Sequence, residues 1–296
     1  MDADYVTLFR LVASIGILAY ASLLDFRTRR VGNAFWIVLS VIGMILVPVQ
    51  VSLDEQSMMY VLVLVPILAI LSDVYWDAGE GSRLSKAAPF LKYAIAILSI
   101  VILGYLWIDE DYFLYFLAVP ILMLFIVLLY MLDLIRGGAD AKALLALSIV
   151  FPLYPAIENL PLITPEASSA ELVFPFTFAV LVTAALMVAL LPIGFTIKNI
   201  ASREFKFPYG ALGYRVDVDN LVGRHVWLME NVVDGTPKLH TRPRRDEDLS
   251  KEIELLKSAA ITRVWVTPKV PFIIPLTAGV VIVATVGNVF FLLFGF

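Results

Sequence analysis

Apolar residues fill eight long stretches of the chain, and short polar segments separate them. A hydrocarbon core of about 30 Å needs roughly 20 apolar residues per transmembrane helix. On that scale the pattern predicts membrane spans at residues 5–24, 33–50, 57–73, 89–107, 112–132, 140–157, 172–197 and 271–294. The expected fold is therefore an all-α polytopic membrane protein with about eight transmembrane helices.

Composition agrees with that pattern, because 60% of the residues are hydrophobic and only 16% are charged. The first apolar run contains Arg10 and lacks a small-residue cleavage site, so we expect a retained span and not a removable signal peptide. The chain contains no cysteine. Disulfides, thiolate nucleophiles and cysteine-ligated metal sites are thereby excluded.

The segments between the spans alternate in charge. Segments 51–56, 108–111 and 158–171 carry acidic residues only, whereas the segments after spans one, three, five and seven carry the basic ones. Lys and Arg are retained on the cytoplasmic side of a membrane. We therefore predict a cytoplasmic membrane protein with both termini outside, and with Asp25 and Asp140 at the same, cytoplasmic, face.

The longest polar connection, residues 198–269, is the only one long enough to form a small domain. Alternating or clustered apolar residues predict short strands, and a run with acids in its first turn predicts an amphipathic helix. The predicted elements are strands at 214–218, 225–229 and 263–267 and a helix at 246–257. We expect three regions: 1–197 with seven transmembrane helices, 198–269 as a small α+β cytoplasmic insertion, and 270–296 with the eighth helix.

The chemistry open to this chain is limited by its residues. Both histidines, His225 and His240, lie in the 198–269 segment, so no histidine is available for a membrane-embedded Ser–His pair or zinc site. Carboxylates at the predicted cytoplasmic face remain: Asp25, Asp73, Asp77, Glu80, Asp133 and Asp140. Two neighbouring carboxylates can share one proton, which is the chemistry of aspartic proteases and needs no metal or cofactor.

Three stretches resemble a known family. Residues 24–33, Leu-Asp-Phe-Arg-Thr-Arg-Arg-Val-Gly-Asn, resemble the end of the first helix in type IV prepilin peptidases and the archaeal preflagellin peptidases. Residues 137–140, Gly-Gly-Ala-Asp, resemble the Gly-x-Gly-Asp motif of these membrane aspartyl proteases, with Ala139 where the second motif glycine stands. Residues 264–272 are similar to the C-terminal segment of the preflagellin peptidases.

The resemblance implies that Asp25 and Asp140 form the catalytic dyad and that Gly137, Gly138 and Ala139 support it. Two features depart from the family. The stretch between the two aspartates contains two more spans than expected of the compact archaeal enzymes, and the cysteine-rich domain of the bacterial enzymes is absent. We therefore expect cleavage without N-methylation.

Each of these residues also has a simpler explanation. Asp140 could cap the sixth span, and Asp25 could be a counter-ion for Arg27. Arg29 and Arg30 are explained most simply as positive-inside anchors, with substrate contact as a secondary role. The sequence context of the two aspartates favours the catalytic interpretation.

Other acids near the predicted cytoplasmic face are weaker candidates. Asp73 and Asp133 end spans three and five and are expected at the interface, with a minor possibility of contacting basic groups on a substrate. Asp77 and Glu80 lie in a segment with Arg83 and are expected to be solvated.

The sequence therefore predicts a membrane aspartic endopeptidase that removes short basic leader peptides from preflagellin-like or prepilin-like proteins at the cytoplasmic membrane face. We expect these proteins and membrane lipid as partners, and no cofactor, no metal and no nucleic acid. The main alternative is an ion- or proton-coupled transporter or channel that uses intramembrane carboxylates. A catalytically idle assembly factor that docks partners through residues 198–269 is a third possibility.

Overall fold

The computed structural model describes residues 3–75, 83–164, 168–233, 236–240, 249–288 and 291. The chain is mostly helical, about 70%, with a small sheet near its C-terminus. Contacts divide it into two units: residues 1–185 with 271–296, and residues 186–270.

The helices of the first unit follow the predicted spans. They are α1 (Ala3–Thr28), α2 (Asn33–Leu53), α3 (Leu64–Tyr75, preceded by the 3-10 helix Met58–Val63), α4 (Arg83–Trp107), α5 (Asp111–Met131), α6 (Gly138–Val150), α7 (Ser168–Val173), α8 (Phe176–Ala189, which runs past the end of the unit) and α12 (Ile273–Thr285).

Six helices in the described part of the chain are long and apolar enough to cross a membrane. They are Asp4–Thr28, Asn33–Leu53, Met58–Tyr75, Pro89–Trp107, Asp111–Met131 and Phe176–Ala201. The chain is thus a multi-pass membrane protein.

The count of eight spans is not confirmed, because α6 and α12 are too short. Each has 13 residues, which at 1.5 Å per residue make about 20 Å of helix. Helix α6 ends just before Pro152, which has no N–H to donate to the helix.

The segment that follows α6 forms backbone hydrogen bonds with the C-terminal end of α12. Leu162 N donates to Thr285 O at 3.0 Å, and Ile163 N donates to Val286 O at 2.8 Å. Gly287 has a φ of +99°, and a Cβ there would lie 3.0 Å from the carbonyl carbon of Ile163. Such pairing satisfies backbone groups that would otherwise be costly within an apolar environment.

Helix α6 lies in the middle of the first unit. Every residue from Ala143 to Val150 is buried, although most surface helices bury only one face. Helix α2 packs closely against it, and a Cβ on Gly43 would lie 2.9 Å from backbone atoms of Ile149 and Val150. Glycine at position 43 therefore allows the two helix backbones to approach each other, as small residues do between membrane helices.

A buried arginine joins α1 to α2 within the first unit. Arg10 is only 3% exposed, and its Nη2 donates to Leu46 O at 3.0 Å. Asp54, at the end of α2, accepts from Gln50 Nε2 at 2.7 Å and from the Tyr112 hydroxyl at 3.0 Å. The carboxylate of Asp54 interacts electrostatically with Arg10, so the buried cation is compensated.

The second unit contains α9 (Leu191–Ala201), α10 (Tyr209–Leu212), β1 (Tyr214–Asp217), β2 (Val226–Leu228), β3 (Glu230–Val233), β4 (Thr236–Leu239), α11 (Leu249–Ser258) and β5 (Arg263–Pro268). Strand β5 is central in an antiparallel sheet of order β1-β5-β2, in which Tyr214 pairs with Val266 and Trp227 with Thr267. Strands β3 and β4 form a hairpin.

The apolar faces of this sheet and of α11 share one small core, which contains Val216, Leu228, Leu256, Val264 and Val266. The three strands and the helix predicted from the sequence are confirmed. Residues 246–248 of the predicted helix lie outside the described residues.

Candidate active site

Asp25 lies in the last turn of α1. Its backbone carbonyl accepts from Arg29 N at 3.0 Å, and Arg29, with a φ of 55°, ends the helix. One turn earlier, the Ser22 and Thr277 hydroxyls form a 2.9 Å hydrogen bond that joins α1 to α12. The side chain of Asp25 is half-buried. Its helix end is fixed by the backbone hydrogen bond from Arg29 and by the hydroxyl contact with α12.

Asp140 is the third residue of α6, whose N-cap is Gly137 in an extended conformation, with a φ of −96°. The carboxyl group folds back over Gly137, so that a Cβ at this position would lie 2.7 Å from Asp140 Cγ and nearer still to Oδ2. A side chain at position 137 would therefore displace the carboxylate. This is the structural reason for glycine here.

The other two motif residues are less constrained. A Cβ on Gly138 would meet only the Tyr130 hydroxyl, at 3.5 Å, which is an ordinary contact. Ala139 is half-buried and packs against the helical core. The space for the carboxylate thus depends on the first glycine more than on the second or on Ala139.

The end of α1 and the start of α6 carry the two candidate aspartates. The two carboxylates are near enough to interact electrostatically, and Arg29 is the cation whose charge acts on Asp25. Two like charges within electrostatic range disfavour the doubly ionised state, so a pair that carries one proton is favoured. The pair can therefore supply a carboxylate that accepts a proton and a carboxyl group that donates one.

Metal ligation is a different use for clustered acids. Among residues 3–75, 83–164 and the later described ranges, no group of three or more His, Cys, Asp or Glu side chains has a spacing that could hold a metal ion.

The weaker candidates, Asp73 and Asp133, lie at the C-terminal ends of α3 and α5. Both carboxylate oxygens of Asp73 accept hydrogen bonds from α4, one from Lys92 and the other from the Tyr93 hydroxyl. Asp73 therefore joins α3 to α4. Asp133 follows α5 with a φ of 57°, its side chain is 72% exposed, and Arg136 Nε lies 3.9 Å from it.

Arg30 is exposed, and its backbone N–H donates to the Thr28 hydroxyl at 3.3 Å. Asp77 and Glu80 lie outside the described residues.

Sequence reasoning missed Lys142. Its Nζ donates to Asn33 Oδ1 at 2.9 Å and lies 5.5 Å from the centre of the Tyr75 ring. This one side chain thus contacts the first residue of α2 and the last residue of α3. The available signal was a lysine two residues after Asp140, inside an otherwise apolar helix.

Comparison with known proteins gives one family match. Residues 205–289 match the model described as Archaeal Peptidase A24 C-terminus Type II. The matched range is less than a third of the chain and contains neither Asp25 nor Asp140. A search of curated protein sequences finds no match.

Proposed function

We propose that this chain is a membrane aspartic endopeptidase related to the archaeal prepilin and preflagellin peptidases, with Asp25 and Asp140 as its catalytic dyad. The match of residues 205–289 to the archaeal peptidase A24 model supports this proposal. The observation that carries the proposal is the electrostatic interaction between these two carboxylates, one at the end of α1 and the other at the start of α6. The proposed substrates are preflagellin-like or prepilin-like proteins with short basic leader peptides.

The reaction needs only these groups and water. The ionised carboxylate takes a proton from water as the water oxygen attacks the peptide carbonyl carbon, and the protonated carboxyl group gives its proton to the carbonyl oxygen. The tetrahedral intermediate then collapses, the C–N bond breaks, and the proton first taken from water passes to the leaving amine. As the C=O bond re-forms, one hydroxyl group of the intermediate returns its proton to the carboxylate that had donated one. The products are a carboxylic acid and an amine, and the pair is back in its starting state with one proton.

Gly137 supports this role because it leaves room for the Asp140 carboxylate. Arg29 acts on Asp25 through its charge and holds the helix end through its backbone. We propose that the exposed Asp133 contacts basic residues of the leader, since its carboxylate is only loosely paired with Arg136. Asp73 is a weaker candidate for such contact, because Lys92 and Tyr93 already occupy both of its oxygens.

The proposed location is the cytoplasmic membrane, with the dyad at the cytoplasmic face and both termini outside. The charge pattern supports this location, because Arg29, Arg30 and Arg136 flank the two aspartates in the sequence. Acidic residues follow the opposite ends of the helices: Asp54 comes after α2, and Asp109 comes after α4. A substrate with a basic leader and an apolar segment in the membrane would present its cleavage site at this face.

The test is cleavage of a synthetic preflagellin-like peptide with a basic leader by protein purified in detergent. Asp25→Asn and Asp140→Asn keep side-chain size, so each should reduce cleavage by about a thousandfold or more while the protein still folds. Asp109→Asn, an exposed aspartate in another connection, is the matched control and should leave cleavage unchanged.

Members of one catalytic unit are not additive, so the double Asp→Asn variant should be no slower than either single variant. Near-normal cleavage by either single variant would refute the assignment of the dyad. Cleavage by the wild type that disappears with a chelator would refute a metal-independent mechanism.

A further inference from the structure

We infer that Lys142 is a positioning residue for the proposed dyad, and that it acts through Asn33. The inference rests on the proposed function. The side chain of Lys142 crosses from α6 to the first residue of α2, where Nζ donates to Asn33 Oδ1 at 2.9 Å. The Tyr75 ring at the end of α3 lies under the same ammonium group at 5.5 Å.

Helices α2 and α6 pack extensively in the core of the first unit, and the Lys142–Asn33 bond adds a polar contact at their N-terminal ends. The close backbone approach of Gly43 to Ile149 lies ten residues after Asn33, which is about 15 Å along a helix. The apolar packing holds the two helices together but is not directional. The hydrogen bond adds a directional constraint at the N-terminal turn of α6, which carries Asp140.

The same bond reaches the segment that carries Asp25. Only residues 29–32 separate α1 from Asn33, and the Ser22–Thr277 hydrogen bond holds α1 to α12. The polar contact of Lys142 therefore connects the helix start that carries Asp140 with the short link that follows Asp25. Its loss should change the separation of the two carboxylates.

Lys142 and Asp140 point in different directions from α6, because they are two residues apart on the helix. The Lys142 ammonium is occupied by an amide oxygen and an aromatic ring. Its role is thus to fix geometry and not to move a proton.

Kinetics of matched variants test this inference. Lys142→Met and Asn33→Leu each remove one partner of the bond and should lower kcat about tenfold, with KM within about twofold. Exchanging the two residues, Asn33→Lys with Lys142→Asn, restores a bond of the same type in reverse and should recover most of kcat. Lys257→Met is the matched control, because Lys257 also has a close partner, Asp219 Oδ1 at 2.7 Å. Its kcat should stay within about twofold.

A second measurement does not depend on cleavage. The chain has no cysteine, so the variant Asp25→Cys/Asp140→Cys carries a unique thiol pair. Bifunctional thiol reagents of graded length should cross-link this pair over a narrow range of lengths. With Lys142→Met added, the range should broaden, and with Lys257→Met added it should not.

The inference is overturned if Lys142→Met retains full kcat, if the exchanged pair recovers no more activity than the single variants, or if the cross-linking range is the same in both backgrounds. If the wild type cleaves no peptide, the proposed function fails. The cross-linking result then still decides whether Lys142 fixes the separation of the two positions.

Discussion

Gly137 gives a sharp test of the site, because its neighbour Gly138 is a natural control. In Gly137→Ala the new methyl group would lie 2.7 Å from Asp140 Cγ, which is well inside van der Waals contact. The obstructing group is the end of a side chain and not backbone, so the carboxyl group can rotate away. In Gly138→Ala the methyl group would meet only the Tyr130 hydroxyl, at 3.5 Å.

The two changes should therefore differ in activity and not in folding. The φ of −96° at Gly137 suits alanine, and Gly→Ala at such a position is worth about 0.4–1 kcal/mol of stability. Moving the Asp140 side chain from its rotamer costs about 0.5–1.5 kcal/mol, so the net change in unfolding free energy should be within about 1 kcal/mol. A misplacement of about 1 Å in an active site can cost about a hundredfold in rate.

We accordingly expect kcat of Gly137→Ala to fall about a hundredfold and kcat of Gly138→Ala to stay within about threefold. The assay is initial-rate cleavage of a preflagellin-like peptide, with thermal unfolding of each purified variant measured alongside. Equal kcat values for the two variants would refute the reasoning. So would a large loss of thermal stability in Gly137→Ala alone, since the defect would then be structural.

Three further predictions concern pH, topology and the second unit. Cleavage should decline at high pH, where the shared proton of the carboxylate pair is lost, and should persist in chelator; a rate that rises through alkaline pH would contradict this. Single cysteines introduced at Ser52, Asp109 and Ser168 should react with a membrane-impermeant thiol reagent from outside; labelling only after lysis would contradict the predicted orientation. Burial raises the pKa of Glu230 above its ordinary 4.5, so the native state binds the proton more tightly and stability should fall as pH rises from about 4.5 through the raised pKa. Glu230→Gln should therefore raise the Tm at pH 7 but not below pH 4.5, and an equal Tm at pH 7 would contradict the argument.

Local pattern was sufficient to predict most elements of this fold. Each predicted span contains a helix, and the strands around Val216 and Val264 follow from apolar residues that pack in one small core. The lengths of α6 and α12 were not predictable, because hydropathy does not distinguish a residue that faces lipid from one buried in protein. Helix α6 is apolar because it is buried among other helices, and it ends just before Pro152, inside the predicted span 140–157.

Polar contacts between distant segments were the other part that the sequence did not predict. The Lys142–Asn33 bond joins residues 109 positions apart, and the Ser22–Thr277 bond joins residues 255 apart. Neither pair has a periodic signature, because a hydrogen bond depends on where two helices meet and not on local spacing. The sequence indicates Asp25 and Asp140 as a pair only through the family-like residues around each of them, and their catalytic role stays a prediction.

The family match and the candidate site come from different parts of the chain. The match covers residues 205–289, whereas the sequence frames around Asp25 and Asp140 lie outside it, in the first unit. The residues around Asp25 and Asp140 therefore indicate these two aspartates independently of the match. The same two carboxylates interact electrostatically in the folded chain, whereas Asp73 is bonded to α4. The family match and the electrostatic interaction of the two aspartates thus favour one chemistry, because a chain without cysteine and without histidine in its apolar helices has few groups for peptide hydrolysis other than paired carboxylates.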